Sequence, residues 1–62
     1  MTDQQAKIYQ VLRHSNAALS QTELARITGL SAEDVRKDCY ALGAAGEINY
    51  RLGQYAINER KR

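Results

Sequence analysis

Ser20–Gly46 reads SQTELARITGLSAEDVRKDCYALGAAG. Two helices joined by a tight turn account for this stretch, and a glycine stop follows the second. Ser20-Gln-Thr-Glu23 has the form of a capping box, in which a serine oxygen and a glutamate carboxylate each satisfy an unpaired amide at a helix start. Ser31-Ala-Glu-Asp34 repeats that logic, with Asp a weaker fourth residue than Glu. Two start signals so close together predict a short helix ending near Thr28, a turn, and a new helix over about 32–45. Ala25, Gly29 and Val35 stand at offsets that suit a close crossing. Ala25 is small where the helices approach. Gly29 takes the left-handed conformation that ends the first helix. Val35 faces inward from the second.

On a helix of 3.6 residues per turn, Cys39 falls about 40° and Leu42 about 340° round from Val35. These three form the expected buried stripe. Glu33, Lys37, Tyr40 and Ala44 take the opposite side, with Arg36 on its flank. Upstream, Leu24 and Ile27 are expected to face the core, with Leu30 anchoring the turn. Residues 3–14 form an earlier helix through Ile8, Val11 and Leu12 at i, i+3, i+4. Tyr9 lies at the edge of that stripe and is expected to be half buried. Asp3 either caps this helix or sets its charge against the positive helix end. His14 in the last turn suits the negative end of the helix. Ala17–Leu19 reads as a short extended link, with Leu19 pointing inward.

From Glu47 the period changes from 3.6 to 2. Ile48, Tyr50 and Leu52 alternate with Glu47, Asn49 and Arg51. After Gly53, Tyr55 and Ile57 alternate with Gln54, Ala56 and Asn58. The pattern predicts a β-hairpin turning at Leu52-Gly53. Leu-Gly is a poor two-residue turn, so a longer or bulged loop is expected there. Leu52 is expected to fold back on the core. The charged segment from Glu59 reads as a frayed tail.

The chain has 62 residues, enough for one domain over 1–62 and too few for a deep substrate cleft. Charged residues are 26% and apolar residues 44%, a balance that suits a folded chain rather than a disordered one. No apolar run approaches the roughly 18 residues that span a bilayer. The start, MTDQQAK, lacks the pattern of a secretory signal, so a cytoplasmic location is expected. One cysteine cannot close an internal disulfide, and Cys39 reads as a core residue. One His, one Cys and no glycine-rich phosphate loop leave no basis for catalysis, a metal or a cofactor. The net charge of +2 permits nucleic-acid binding without demanding it.

Three helices followed by a hairpin is the order of the winged helix-turn-helix family. The run ELARITGLSAEDVRKDCYALGAAGEI resembles that family at Leu24, Ala25, Gly29, Ser31, Val35, Leu42, Gly46 and Ile48. The Ala25-x3-Gly29-x5-Val35 spacing is similar to that of a helix-turn-helix. The resemblance implies an α+β fold, a three-helix bundle followed by a two-stranded wing. In such a fold the 17–19 link would pair with the wing as a minimal third strand. In length the chain resembles the small bacterial and phage regulators built on little more than one such domain.

By the same resemblance, the helix over 32–45 would enter the major groove of duplex DNA. Glu33, Arg36, Lys37 and Tyr40 would be its contact residues. Arg36 suits guanine or phosphate, Lys37 phosphate, and Glu33 cytosine N4. Tyr40 would meet a phosphate, stack on a base, or simply cover the core. Arg51 at the wing and the tail Arg60, Lys61 and Arg62 would reach the backbone. The bland alternative is a solvated face with a Glu33–Lys37 pair. A tyrosine at position 40 is also similar to the Z-form-binding subfamily, but Arg36 stands where that group has asparagine and the wing has no proline. Three acids, Glu33, Asp34 and Asp38, stand on this helix against two bases and oppose phosphate. They keep open a second class, a protein-interaction domain of the same fold. A unit this small calls for a homodimer or a larger assembly to gain DNA specificity.

Overall fold

A computed structural model describes residues 1–61 of the chain. The elements run α1 (Asp3–Ser15), β1 (Leu19–Ser20), α2 (Gln21–Thr28), α3 (Ala32–Ala44), β2 (Ile48–Arg51), β3 (Gln54–Ile57) and a 3-10 turn η1 (Glu59–Lys61). The three strands form one antiparallel sheet in the order β1-β3-β2. The result is an α+β layout compatible with a winged helix. The sheet has three strands rather than a hairpin alone. The minimal third strand forms at Leu19–Ser20, where Leu19 pairs with Tyr55 and Ser20 with Gln54.

Thr2, not Asp3, caps α1. Its hydroxyl accepts from the Gln5 amide at 3.1 Å, and the Gln5 side chain accepts from the Thr2 amide at 3.2 Å. Asp3 therefore falls inside the first turn, where its charge faces the helix's positive end. Asn16 ends the helix at φ 52, a left-handed position that asparagine tolerates. Tyr9 is half buried, and Ile8 and Leu12 are fully buried.

Ser20 closes β1 and caps α2. Its hydroxyl accepts from the Glu23 amide at 3.1 Å, and the Glu23 carboxylate accepts from the Ser20 amide at 2.8 Å. The Ser20 amide first, and the Ser20 hydroxyl second, hold the Glu23 carboxyl below its ordinary pKa.

The inward line of α2 differs from expectation. Ile27 is 56% exposed, and Thr28 is buried in its place. The core line runs from Leu24 to Thr28, at i, i+4, and continues to Leu30 beyond the turn. A threonine is tolerated there because its hydroxyl is satisfied locally. It donates to the Leu24 carbonyl at 2.6 Å and accepts from the Leu30 amide at 3.2 Å. Gly29 follows at φ +78, with open space where a Cβ would stand, so only the backbone conformation calls for glycine. The Gln21 side chain donates to the Ala32 carbonyl at 2.8 Å and ties α2 to the start of α3.

Ser31 caps α3 by accepting from the Asp34 amide at 3.1 Å. Val35, Cys39 and Leu42 are buried as expected. The helix stops in a Schellman arrangement. The Glu47 amide donates to the Leu42 carbonyl at 2.9 Å and the Gly46 amide to the Gly43 carbonyl at 3.0 Å, with Gly46 at φ +80.

The hairpin turn is tighter than expected. Arg51 pairs with Gln54, so the loop is Leu52-Gly53 alone, with φ of +53 and +80. Two positive φ values in succession mark a type I′ turn. Leu52 does not fold back on the core: it is 90% exposed at the tip.

The segment after β3 is ordered by Asn58. Its amide donates to the Glu47 carbonyl at 3.0 Å, and its side chain accepts from the Arg60 amide at 3.1 Å. The segment read as a frayed tail thus begins as a turn. Ile8, Leu12, Leu24, Val35, Cys39, Leu42 and Ile48 form one buried cluster, with Leu19, Leu30, Tyr55 and Ile57 packed against it. No helix among the described residues is long and apolar enough to cross a membrane.

Candidate nucleic-acid interface

Arg36, Lys37 and Tyr40 line a shallow open groove of about 250 Å³ on the outer face of α3. Helix geometry explains why they meet. Arg36 lies roughly 40° and Lys37 roughly 60° round the axis from Tyr40, on opposite sides of it. Tyr40 is 81% exposed, so it does not cover the core. Glu33 shares this face, roughly 20° from Tyr40 and two turns nearer the helix start. Glu33 and Lys37 are both exposed, and no ion pair links them among the described residues.

The acids do not all oppose this groove. Asp34 and Asp38 lie roughly 120° and 160° round from Tyr40. Both are half buried on the far flank. One Asp38 carboxylate oxygen is buried with no hydrogen-bond partner among the described residues. Of the three acids on α3, only Glu33 faces the same solvent as Arg36 and Lys37.

β2 is the strand that packs along α3. A Cβ built on Gly43 would stand 3.9 Å from the Ile48 carbonyl, which marks the approach. On the hairpin, Ile48, Tyr50, Tyr55 and Ile57 share one face, because Ile48 pairs with Ile57 and Tyr50 with Tyr55, and the burial of Ile48 turns that face to the core. The Tyr50 and Tyr55 rings lie 4.8 Å apart between centroids, tilted by 50°. Burial pushes the Tyr55 phenol above its ordinary pKa. Neighbouring Cys39 and Tyr50 add to that shift, and the Arg36 charge opposes it. Arg36 lies roughly 20° round the helix axis from Gly43, so it stands on the side of α3 that β2 approaches.

The other expected contact residues are dispersed. Arg51 pairs with Gln54 beside the tip, on the hairpin face opposite Tyr50. Arg60 sits at the other end of the hairpin, in η1, beyond the Asn58 link to Gly46. The Lys61 side chain and Arg62 lie outside the described residues. Tyr50 and Tyr55 do not stand among the residues expected at the site, although the alternation alone places them on one face of the hairpin.

Cys39 is buried in the core, and burial, with Asp38 beside it, pushes its thiol up to about 11. Among the described residues no three His, Cys, Asp or Glu side chains gather as a metal ion would require. A second open groove, of about 410 Å³, lies between the end of α1 and the end of β3, lined by Leu12, Ala17, Ala56 and Ile57 with Arg13 and Glu59 among its polar residues. No known protein family matches the chain, and no curated protein or solved structure is detectably similar to it.

Proposed function

We propose that the chain is a winged helix-turn-helix module of a small cytoplasmic regulator of the bacterial or phage type, which binds duplex DNA through α3. The observation that carries this reading is the groove of Arg36, Lys37 and Tyr40 on an exposed helix face from which Asp34 and Asp38 are turned away. Two cations and a phenol on one face match the phosphates and base edges of a major groove. Arg51 then touches the backbone from the outer side of the wing, and specificity calls for a homodimer or larger assembly.

Fluorescence anisotropy with random duplex DNA tests the reading. Three phosphate contacts give a loss of affinity on the order of 40-fold between about 50 and 200 mM salt. Replacing Arg36 and Lys37 together by alanine should flatten that salt dependence to about 3-fold. Duplex binding that ignores the double replacement, or no binding at low salt, removes the reading.

A second reading has its own observation. Leu52 is 90% exposed and Tyr50 65% exposed on the projecting hairpin. Exposed apolar side chains at a tip suit a protein partner. That reading predicts partner binding that Leu52→Ser abolishes and Arg36→Ala leaves unchanged.

A further inference from the structure

We infer that the tyrosines beside the α3 groove hold unpaired bases, so that this module binds a duplex carrying a single-stranded extension more tightly than a blunt one. The inference rests on the nucleic-acid reading above and extends it to a class of DNA.

Tyr40 on α3 is 81% exposed, and Tyr50, on the strand packed along α3, is 65% exposed. Tyr50 is braced rather than loose. It stands directly opposite Tyr55, with ring centroids 4.8 Å apart, and Tyr55 itself is packed against the core. A ring held on one side and open on the other is a shelf. A duplex offers such a ring only base edges and sugars, because its base faces are stacked on each other. An unpaired strand offers base faces beside phosphates, and the α3 groove with the neighbouring strand offers it both aromatic rings, Tyr40 and Tyr50, and cations, Arg36 and Lys37. Stacking of this kind tolerates any base and requires no hydrogen-bond code. Tyr50 shares a face with the buried Ile48 on the strand that packs along α3, so strand and helix meet one ligand. Arg36 lies roughly 20° round the α3 axis from Gly43, the residue that approaches the Ile48 carbonyl, and so stands on the side of the helix nearest the hairpin.

The test uses the full chain and three DNAs, a duplex of about 12 base pairs that is blunt, one with an overhang of about four thymidines, and one with an overhang of about four abasic sites. The abasic overhang has the same phosphates and no bases, so it separates charge from stacking. Both overhang polarities are measured. The thymidine overhang should bind roughly tenfold tighter than the abasic one. Tyr50→Ala should erase that difference, whereas Tyr50→Phe should keep it, and circular dichroism confirms that both variants fold. Quenching of tyrosine fluorescence by the thymidine overhang alone gives an independent readout on the unmodified protein. Equal affinity for thymidine and abasic overhangs overturns the inference. If the blunt duplex still binds through Arg36 and Lys37 in that case, the duplex reading stands alone. If none of the three DNAs binds, both readings fall.

Discussion

The Asn58 side-chain amide donates to the Gly46 carbonyl at 2.8 Å, so the residue just past the last strand is bonded to the glycine just past the third helix. The same side chain accepts from the Arg60 amide at 3.1 Å. One half-buried asparagine thus closes the base of the hairpin and starts η1. Asn58→Ala removes both bonds and should cost about 1–2 kcal/mol. In a domain of this size that lowers the melting temperature by about 8–15 °C, measured by circular dichroism. Asn58→Asp keeps the acceptor for Arg60 but sets a carboxylate against the Gly46 carbonyl. It should be at least as destabilising, and a wild-type melt for that variant would show that the Gly46 bond contributes nothing.

Leu52 holds φ +53 with 90% of its surface exposed. A leucine there accepts left-handed backbone strain and gains no packing in return. Leu52→Asn gives the Asn-Gly pair favoured in a type I′ turn. It should stabilise the fold by about 0.5–1 kcal/mol, read as a shift of the urea midpoint with unchanged slope. Destabilisation would mean that Leu52 packs on the body of the protein in solution.

Ile27 and Thr28 make a paired test of how α2 faces the core. Ile27→Gln changes a residue that is 56% exposed and should stay within about 0.5 kcal/mol of wild type. Thr28→Val keeps the shape but leaves the Leu30 amide without its acceptor, and should cost about 1 kcal/mol. The reverse ranking in urea melts would restore Ile27 as the inward residue.

Cys39 links stability to alkaline pH. Its thiol is raised from 9.0 to about 11 by burial first and by Asp38 second. Between these values the unfolded chain loses the proton and the folded chain keeps it. Stability is therefore fully present below about pH 9 and declines toward pH 11. Tyr55, also raised by burial, adds a decline in the same direction above its ordinary value. Cys39→Ala should lower stability at neutral pH and flatten the slope between pH 9 and 11 in urea melts. An unchanged slope would assign the alkaline loss to other groups.

The residues that can be read from sequence are those whose partners are near in the chain. Ser20 and Glu23 cap each other across three residues, and the Val35–Cys39–Leu42 stripe follows from helical period alone. Where two local solutions compete, sequence pattern does not choose between them. Thr2 and Asp3 both suit a cap, and Gln5 decides for Thr2. From Leu24, both Ile27 and Thr28 lie one turn on, and the crossing of α2 with distant elements selects between them. A buried threonine escapes a reading by hydrophobicity, which cannot see that the helix itself satisfies the hydroxyl. Alternation puts Tyr50 and Arg51 on opposite faces of the hairpin, which already separates Arg51 from the surface that Tyr50 shares with Ile48. Which face of the hairpin turns toward the core depends on packing between elements, and period 2 does not encode it.

The order of strands in the sheet has a kinetic consequence. β3 lies in the centre, flanked by β1 and β2. Its pairing with Leu19 joins residues separated by more than half the chain. Such a pairing is reached late, after the loop-closure entropy of the intervening helices has been met. The helices and the hairpin are local and form fast, but Leu19–Tyr55 closes the circuit. Among the sheet pairings this is the one that topology predicts to form last. Changes at Leu19 or Tyr55 act on the closing step, whereas changes at Leu52 act on a turn that can form before it.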